Sequence, residues 1–213
     1  MVKVTERIRV VEVAKADGLR TEIYLLECEG GLILIDVGFT LECLKNIGDE
    51  LAEMGKNWGD IKLVLITHAH GDHIINLPKI LELTGGVEVM LGEDDRDSLK
   101  EQTGIEADMG LEHGDLIEAC GGIEVVHVPG HSAGSIAFYL RSEKAMVVGD
   151  VLFEDEKGNL IPPPAKYCED VELARREIKQ LLDYDFDILL LSHGKSVQMD
   201  AKKRVEELVE VMS

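Results

Sequence analysis

The chain has 213 residues, 45% of them apolar, and sets 42 acidic side chains against 22 basic ones for a formal charge of −20. That charge argues against nucleic acid as a partner, because a polyanion is repelled unless a local basic patch offsets it. Mean hydropathy is +0.01 and no uninterrupted apolar run approaches membrane-spanning length, so no membrane partner is expected.

The length suits one well-buried core, and no composition break or low-complexity linker divides it, so residues 1–213 are expected to form a single domain. Val2 to Val10 alternates charged and β-branched residues and lacks the apolar stretch of a secretory signal, which makes the cytoplasm the expected compartment. Cys28, Cys43, Cys120 and Cys168 are widely spaced with no CxxC pair, and read as reduced thiols, with Cys168 the most exposed.

In chain order, strands are predicted over Arg7 to Val13, Thr21 to Glu27 and Gly31 to Asp36, with turns at Asp17-Gly18 and Gly30-Gly31. Thr40 is the expected N-cap of a helix over Leu41 to Met54, whose apolar residues Leu41, Leu44, Ile47, Leu51 and Met54 repeat at helical spacing. A strand over Lys62 to Ile66 follows. Asn76 is the expected cap of a short helix from Leu77 to Leu83 with Pro78 in its first turn, stopped by Gly85-Gly86. Val87 to Leu91 reads as a strand and Glu93 to Lys100 as helical, while the polar stretch through Gly110 has no assignment.

The second half begins with strand-like runs at Asp115 to Ala119, Ile123 to Val128, Ser135 to Leu140 and Ala145 to Val148. Pro162-Pro163-Pro164 cannot join a central ladder and should form an extended surface loop. A helix is predicted over Glu169 to Leu182, a buried strand over Asp187 to Leu191 and a closing helix over Val197 to Val211. Lys202-Lys203-Arg204, the densest basic cluster, lies beside Glu206, Glu207 and Glu210 and reads as a solvated helix face.

The chemistry concentrates in Thr67-His68-Ala69-His70-Gly71-Asp72-His73, directly after an apolar strand. Three imidazoles and a carboxylate packed so closely are metal donors, since they cannot all be stabilised as ordinary buried polar groups. In extended backbone His68 and His70 project to one side, and Gly71 lets the chain turn before Asp72 and His73. Donors in two pairs suit a two-metal hydrolytic site. Asp36, His131, Asp150 and His193 share a further context: each ends an apolar run and stands beside or near a glycine, so strand ends would gather them at one rim. His113 and His127 read instead as a turn residue and a satisfied core residue.

This ordered set resembles the five motifs of the metallo-β-lactamase-fold superfamily, from Asp36 to His193. The resemblance implies an α/β (α+β) four-layer αβ/βα sandwich with the site at one edge. It implies that His68, His70 and His131 hold one divalent ion, that Asp72, His73 and His193 hold a second, and that Asp150 bridges them. Asp36 would bind no metal but hold ligand imidazoles by hydrogen bonds. One departure is Ile74-Ile75-Asn76-Leu77-Pro78, where many members carry glycine in place of Ile75, a β-branched residue that tolerates fewer backbone angles, so the family's loop path does not carry over here.

The resemblance further implies two zinc ions, iron being the other metal the donors suit, and a metal-bound hydroxide as nucleophile, with Asp72 also handling protons. Compactness, the absent signal peptide and the short tail point to a small glyoxalase II-like or lactonase-like hydrolase acting on a thioester, lactone or other small ester. The alternative is a mononuclear-iron persulfide dioxygenase of the same fold. The partner is a small-molecule substrate, with a homodimer compatible, and residues 153–167 are candidates for lining its pocket.

Overall fold

The computed structural model describes residues 2–12 and 21–212, arranged as two compact units, Met1–Gly110 and Leu111–Ser213. The turn expected at Asp17-Gly18 and the last residue of the first expected strand, Val13, lie outside the described residues.

The first unit is built on a sheet whose seven strands follow the sequence order: β1 (Val2–Lys3), β2 (Ile8–Glu12), β3 (Glu22–Cys28), β4 (Gly31–Ile35), β5 (Ile61–Ile66), β6 (Glu88–Gly92) and β7 (Met109–Leu111). The strands β2 to β4 form an antiparallel meander, whereas β4, β5 and β6 run parallel. Parallel neighbours need crossovers, and α1 (Leu41–Glu53) and α3 (Leu77–Thr84) supply them. Alternate residues Ile23 and Leu25, Leu32 and Leu34, Val64 and Ile66, and Val89 and Leu91 pack with Leu44, Ile47, Leu51, Leu77 and Ile80 of these helices. Tyr24, Leu26, Ile33, Ile35 and Leu65, in the alternate positions, are buried as well, which is why these strands read as continuous apolar runs.

Thr40 caps α1 as expected, its hydroxyl accepting from the Cys43 N–H at 3.2 Å. Leu41 is not a core residue: it is 82% exposed. Asn76 makes no side-chain cap bond to α3; its amide donates to the carbonyls of Val37 and Thr40, at 3.1 and 2.9 Å. A buried amide there satisfies loop carbonyls that no strand could reach. Ile75 adopts ordinary right-handed helical angles, φ −58 and ψ −30, at the end of the short α2 (Gly71–Ile74), and is 46% exposed. The missing glycine therefore costs the loop nothing. The acidic stretch divides into a 3-10 turn, Glu93–Asp95, and α4 (Arg96–Thr103).

The second unit carries a sheet ordered β14-β11-β10-β9-β8, formed by β8 (Leu116–Ile117), β9 (Ile123–His127), β10 (Ile136–Leu140), β11 (Ala145–Val147) and β14 (Ile188–Leu190). Val126, Ala137, Met146 and Leu189 pack with Ile178, Leu181, Ala201 and Val205 from the helical segments. The hairpin of β12 (Phe153–Glu154) and β13 (Leu160–Ile161) was not expected, because strands of two residues carry no readable period.

The helix expected over Glu169 to Leu182 is α5 (Val171–Glu177) followed by a 3-10 segment, Ile178–Asp183, with Asp170 as its cap. The last helix, α6 (Ala201–Met212), starts later than predicted. Val197 instead exchanges two 2.8 Å backbone hydrogen bonds with Leu189.

Cys43 and Cys168 are free, but Cys28 and Cys120 are disulfide-bonded. The reading of four reduced thiols is corrected for those two: spacing along the chain bears on motifs, not on which sulfurs meet.

Candidate metal centre

Strand direction explains where the donors sit. In the first unit the carboxyl ends of β4, β5 and β6, three adjacent parallel strands, lead into Asp36, into Thr67–His73 and into Asp95. In the second, β9 and β11 both run antiparallel to β10, and β14 runs parallel to β11. The chain leaving β9, β11 and β14 therefore reaches His131, Asp150 and His193 from ends that point the same way. Chain termini of parallel strands are where polar loops can gather without breaking a ladder.

Asp36 is the hub of the first set. It is 1% exposed and lies in left-handed backbone, φ 60, which carboxylate and amide residues tolerate better than most. Its Oδ1 accepts the Thr67 N–H at 2.8 Å, and its Oδ2 accepts both the Thr67 hydroxyl and His73 Nδ1, each at 2.8 Å. A carboxylate can only accept, so the Thr67 proton points to Asp36 and the Thr67 oxygen must accept from its other neighbour, His68 Nδ1, 3.1 Å away. Both imidazoles thus carry their proton on Nδ1 and hold an Nε2 lone pair, the form that ligates a cation.

His68 and His73 are buried, at 1% and 0% exposed, with ring centroids 4.1 Å apart, and the His70 ring stands edge-on to His68 at 4.7 Å. His70 is half-buried. Asp72, with 32% of its side chain exposed, places Oδ2 3.5 Å from His73 Nε2 and accepts from the Thr21 hydroxyl at 3.3 Å.

In the second set Asp150 is the hub. Its Oδ2 lies 3.2 Å from His131 Nε2 and 3.2 Å from His193 Nε2, and all three residues are buried. Phe153 stacks on His193, rings 4.9 Å apart at 26°, and its ring centre is 6.3 Å from that of His131. The hairpin carrying Phe153 is tied to the same loop, since the Glu154 N–H donates to the His193 carbonyl at 3.1 Å and Glu154 Oε2 accepts the Lys195 N–H at 2.9 Å. A side chain on Gly194, at φ 155, would meet Glu154 Cβ at 2.5 Å. The His131 carbonyl accepts the Glu169 N–H at 3.2 Å, so the segment after the prolines borders this histidine.

Sequence reasoning missed Thr67, Asp95 and Gln102. Asp95 follows β6 and Gly92, the same strand-end and glycine context that marked the other residues. His113 and His127 stay apart from the donors: His113 Nδ1 accepts the His127 N–H at 3.3 Å, and His127, half-buried rather than core, pairs its Nε2 with the Ala133 carbonyl at 2.8 Å.

The family model of the metallo-beta-lactamase superfamily matches residues 16–193. The chain belongs to this superfamily. Among relatives, it is 33% identical over 120 residues to a hydroxyacylglutathione hydrolase of Synechococcus, covering 53% of this chain and 45% of that protein. It is 29% identical over 162 residues to hydroxyacylglutathione hydrolase GloC of Haemophilus influenzae, covering 68% and 74% respectively. The chain thus spans less than half of the Synechococcus protein.

A metallo-beta-lactamase family protein from Thermus thermophilus superposes with a TM-score of 0.79 at 23% identity, over 99% of this chain and 80% of its own. The metallo-beta-lactamase DIM-1 gives 0.79 at 18% identity, over 99% and 96%. The fold is therefore the metallo-beta-lactamase fold, a mixed α/β arrangement of several sheets and helices. Superfamily membership agrees with the donor chemistry, since His and Asp groups that could hold a metal are present among the described residues. No helix among those residues is long and apolar enough to cross a membrane.

Proposed function

We propose that the chain, as a single domain over residues 1–213, is a metal-dependent hydrolase that cleaves a thioester, lactone or other small ester with the help of two divalent ions. The observation that carries this reading is the double anchoring of His68 and His73, directly and through Thr67, on one buried carboxylate, Asp36. Fixing two buried imidazoles in the ligating tautomer has no use in a plain core. The donor set fits a cation for the same reason: imidazole and carboxylate in this number suit zinc first and iron second.

In this reading His68, His70 and His131 would hold one ion and Asp72, His73 and His193 the other, with Asp150 contributing to both. Bound divalent ions lower the pKa of a coordinated water and polarise the carbonyl oxygen under attack. Asp36 keeps the ring orientations fixed while the substrate binds. Asp72 Oδ2, at the exposed rim, accepts and returns a proton. Phe153 and the hairpin that bears it border the substrate and exclude water on the His131 and His193 side.

The partner is a small molecule, without nucleic acid or membrane, and a homodimer is compatible with the chain. Relatives named as hydroxyacylglutathione hydrolases support ester or thioester hydrolysis over iron-dependent persulfide oxidation. A cytoplasmic site of action is retained from the sequence. Disulfide-bonded Cys28 and Cys120 fit that compartment only where its redox poise sustains disulfides.

The test is elemental analysis of the purified protein, coupled to a screen of thioesters, lactones and phosphodiesters, repeated with His70→Ala and with chelator. We expect two zinc ions per chain and turnover that both treatments abolish. Turnover of the parent that survives either treatment, or a chain that takes up no divalent ion, overturns the proposal.

A further inference from the structure

Between His68 and His70 stands one residue, Ala69, and its two flanking peptide planes set where the imidazoles aim. Residues 67–70 lie beyond β5 and have no strand neighbour to hold those planes. Their backbone groups, buried at Ala69 (2% exposed), must be satisfied from elsewhere. The Ala69 N–H, which belongs to the plane shared with His68, donates to Asp95 Oδ2 at 2.7 Å. The Ala69 carbonyl, which belongs to the plane shared with His70, accepts from Gln102 Nε2 at 2.6 Å. One side chain therefore holds each plane.

The two arms of the bracket differ in setting, Asp95 buried and Gln102 exposed. Asp95 is 3% exposed and closes the 3-10 turn that follows β6, and its bond to a backbone N–H is charge-assisted and short. Gln102 lies on α4, seated by the fully buried Leu99, and its amide nitrogen also donates to Ser98 Oγ at 3.0 Å. An acidic, polar helix that contributes little apolar surface thus earns its place by reaching the loop.

We propose that Asp95 and Gln102 are positioning residues: together they clamp the peptide between His68 and His70 and fix the angle at which both imidazoles meet a metal ion. The inference rests on the metal-binding reading above. Groups that orient ligands from behind typically contribute 10- to 100-fold to metal affinity, and that is the size of effect expected here.

The experiment compares the full-length parent with Asp95→Ala, Asp95→Asn, Gln102→Ala and His68→Ala. Zn2+ affinity is read by chelator competition and ligand geometry by the visible spectrum of the Co2+-loaded protein, with folding of the metal-free chain followed separately by circular dichroism. Asp95→Ala and Gln102→Ala should weaken Zn2+ binding by about 10- to 100-fold in folded protein and shift the Co2+ bands. Asp95→Asn, whose amide oxygen can still accept the Ala69 N–H, should recover most of the affinity.

A purely structural role would lower folding stability and leave the Co2+ spectrum unchanged. If Asp95→Ala does not fold, Gln102→Ala decides alone, since Gln102 is exposed and its loss leaves the core intact. Parent-like affinity and spectrum in the folded variants, with His68→Ala losing the ion, overturn the positioning roles while leaving the metal reading intact. A parent that takes up no ion overturns both.

Discussion

At the scale of single residues, Asp36 carries more bonds to the donor loop than any other side chain described above: three, all at 2.8 Å, to the Thr67 N–H, the Thr67 hydroxyl and His73 Nδ1. Asp36→Ala would strand a buried N–H, a buried hydroxyl and a buried ring nitrogen at once. We expect a loss of about 3–5 kcal/mol in urea unfolding, with metal affinity falling alongside. Asp36, His68, His70, Asp72 and His73 were legible in the sequence because each follows an apolar run whose strand character is plain. Asp95 and Gln102 were not, because their meaning lies in a contact with Ala69, 26 and 33 positions away in sequence. Asp95 shares the strand-end and glycine context of the donors but stands alone in an acidic run, and Gln102 has no local pattern that marks it.

At the scale of elements, the His131 loop depends on close approach between backbone segments. Gly130 sits at φ 123, its carbonyl accepts the Asp170 N–H at 2.9 Å, and a Cβ added to it would stand 2.2 Å from the Ala174 nitrogen. Gly130→Ala must therefore push α5 away or unseat the loop. The expected cost is about 2–4 kcal/mol, checked by chemical denaturation, and the His131 imidazole resonances should shift by NMR, whereas Gly158→Ala, where a Cβ comes no nearer than 3.7 Å to Glu154 Oε1, should leave them in place. Long periodic elements such as α1 and β5 were readable to within a residue or two. The β12–β13 hairpin and the Val197–Leu189 bridge were not: both are local, with partners within eight residues, but strands of two residues and a single bridged pair are too short to show a period.

At the scale of the whole molecule, the formal charge of −20 and the cysteine chemistry set how the protein handles. Thiol titration without reductant should find two groups per chain after denaturation, Cys43 and Cys168, and four once disulfides are reduced. In the native state both should react slowly at neutral pH. Cys43 is fully buried, and burial, followed by the Asp150 carboxylate, pushes the Cys168 thiol up, away from the reactive thiolate. Finding four reactive thiols without reductant would restore the fully reduced reading. The general class was legible from the ordered motifs, but pairing between sulfurs is a property of the folded chain alone.

The hairpin has one more implication, for anyone who would re-engineer substrate preference. Its turn is organised locally, Asp155 Oδ1 gathering the N–H groups of Lys157 and Asn159, each at 2.8 Å, and is tied to α6 by Arg204, which donates to the Gly158 carbonyl at 2.6 Å. Its base is tied to a donor, because Phe153 and Glu154 grip His193 through ring and backbone. Within the turn, Glu156 and Lys157 can be exchanged with least consequence, since Asp155 organises it and Gly158 sits at φ 83, whereas every exchange at 153–154 reaches the surroundings of His193 directly.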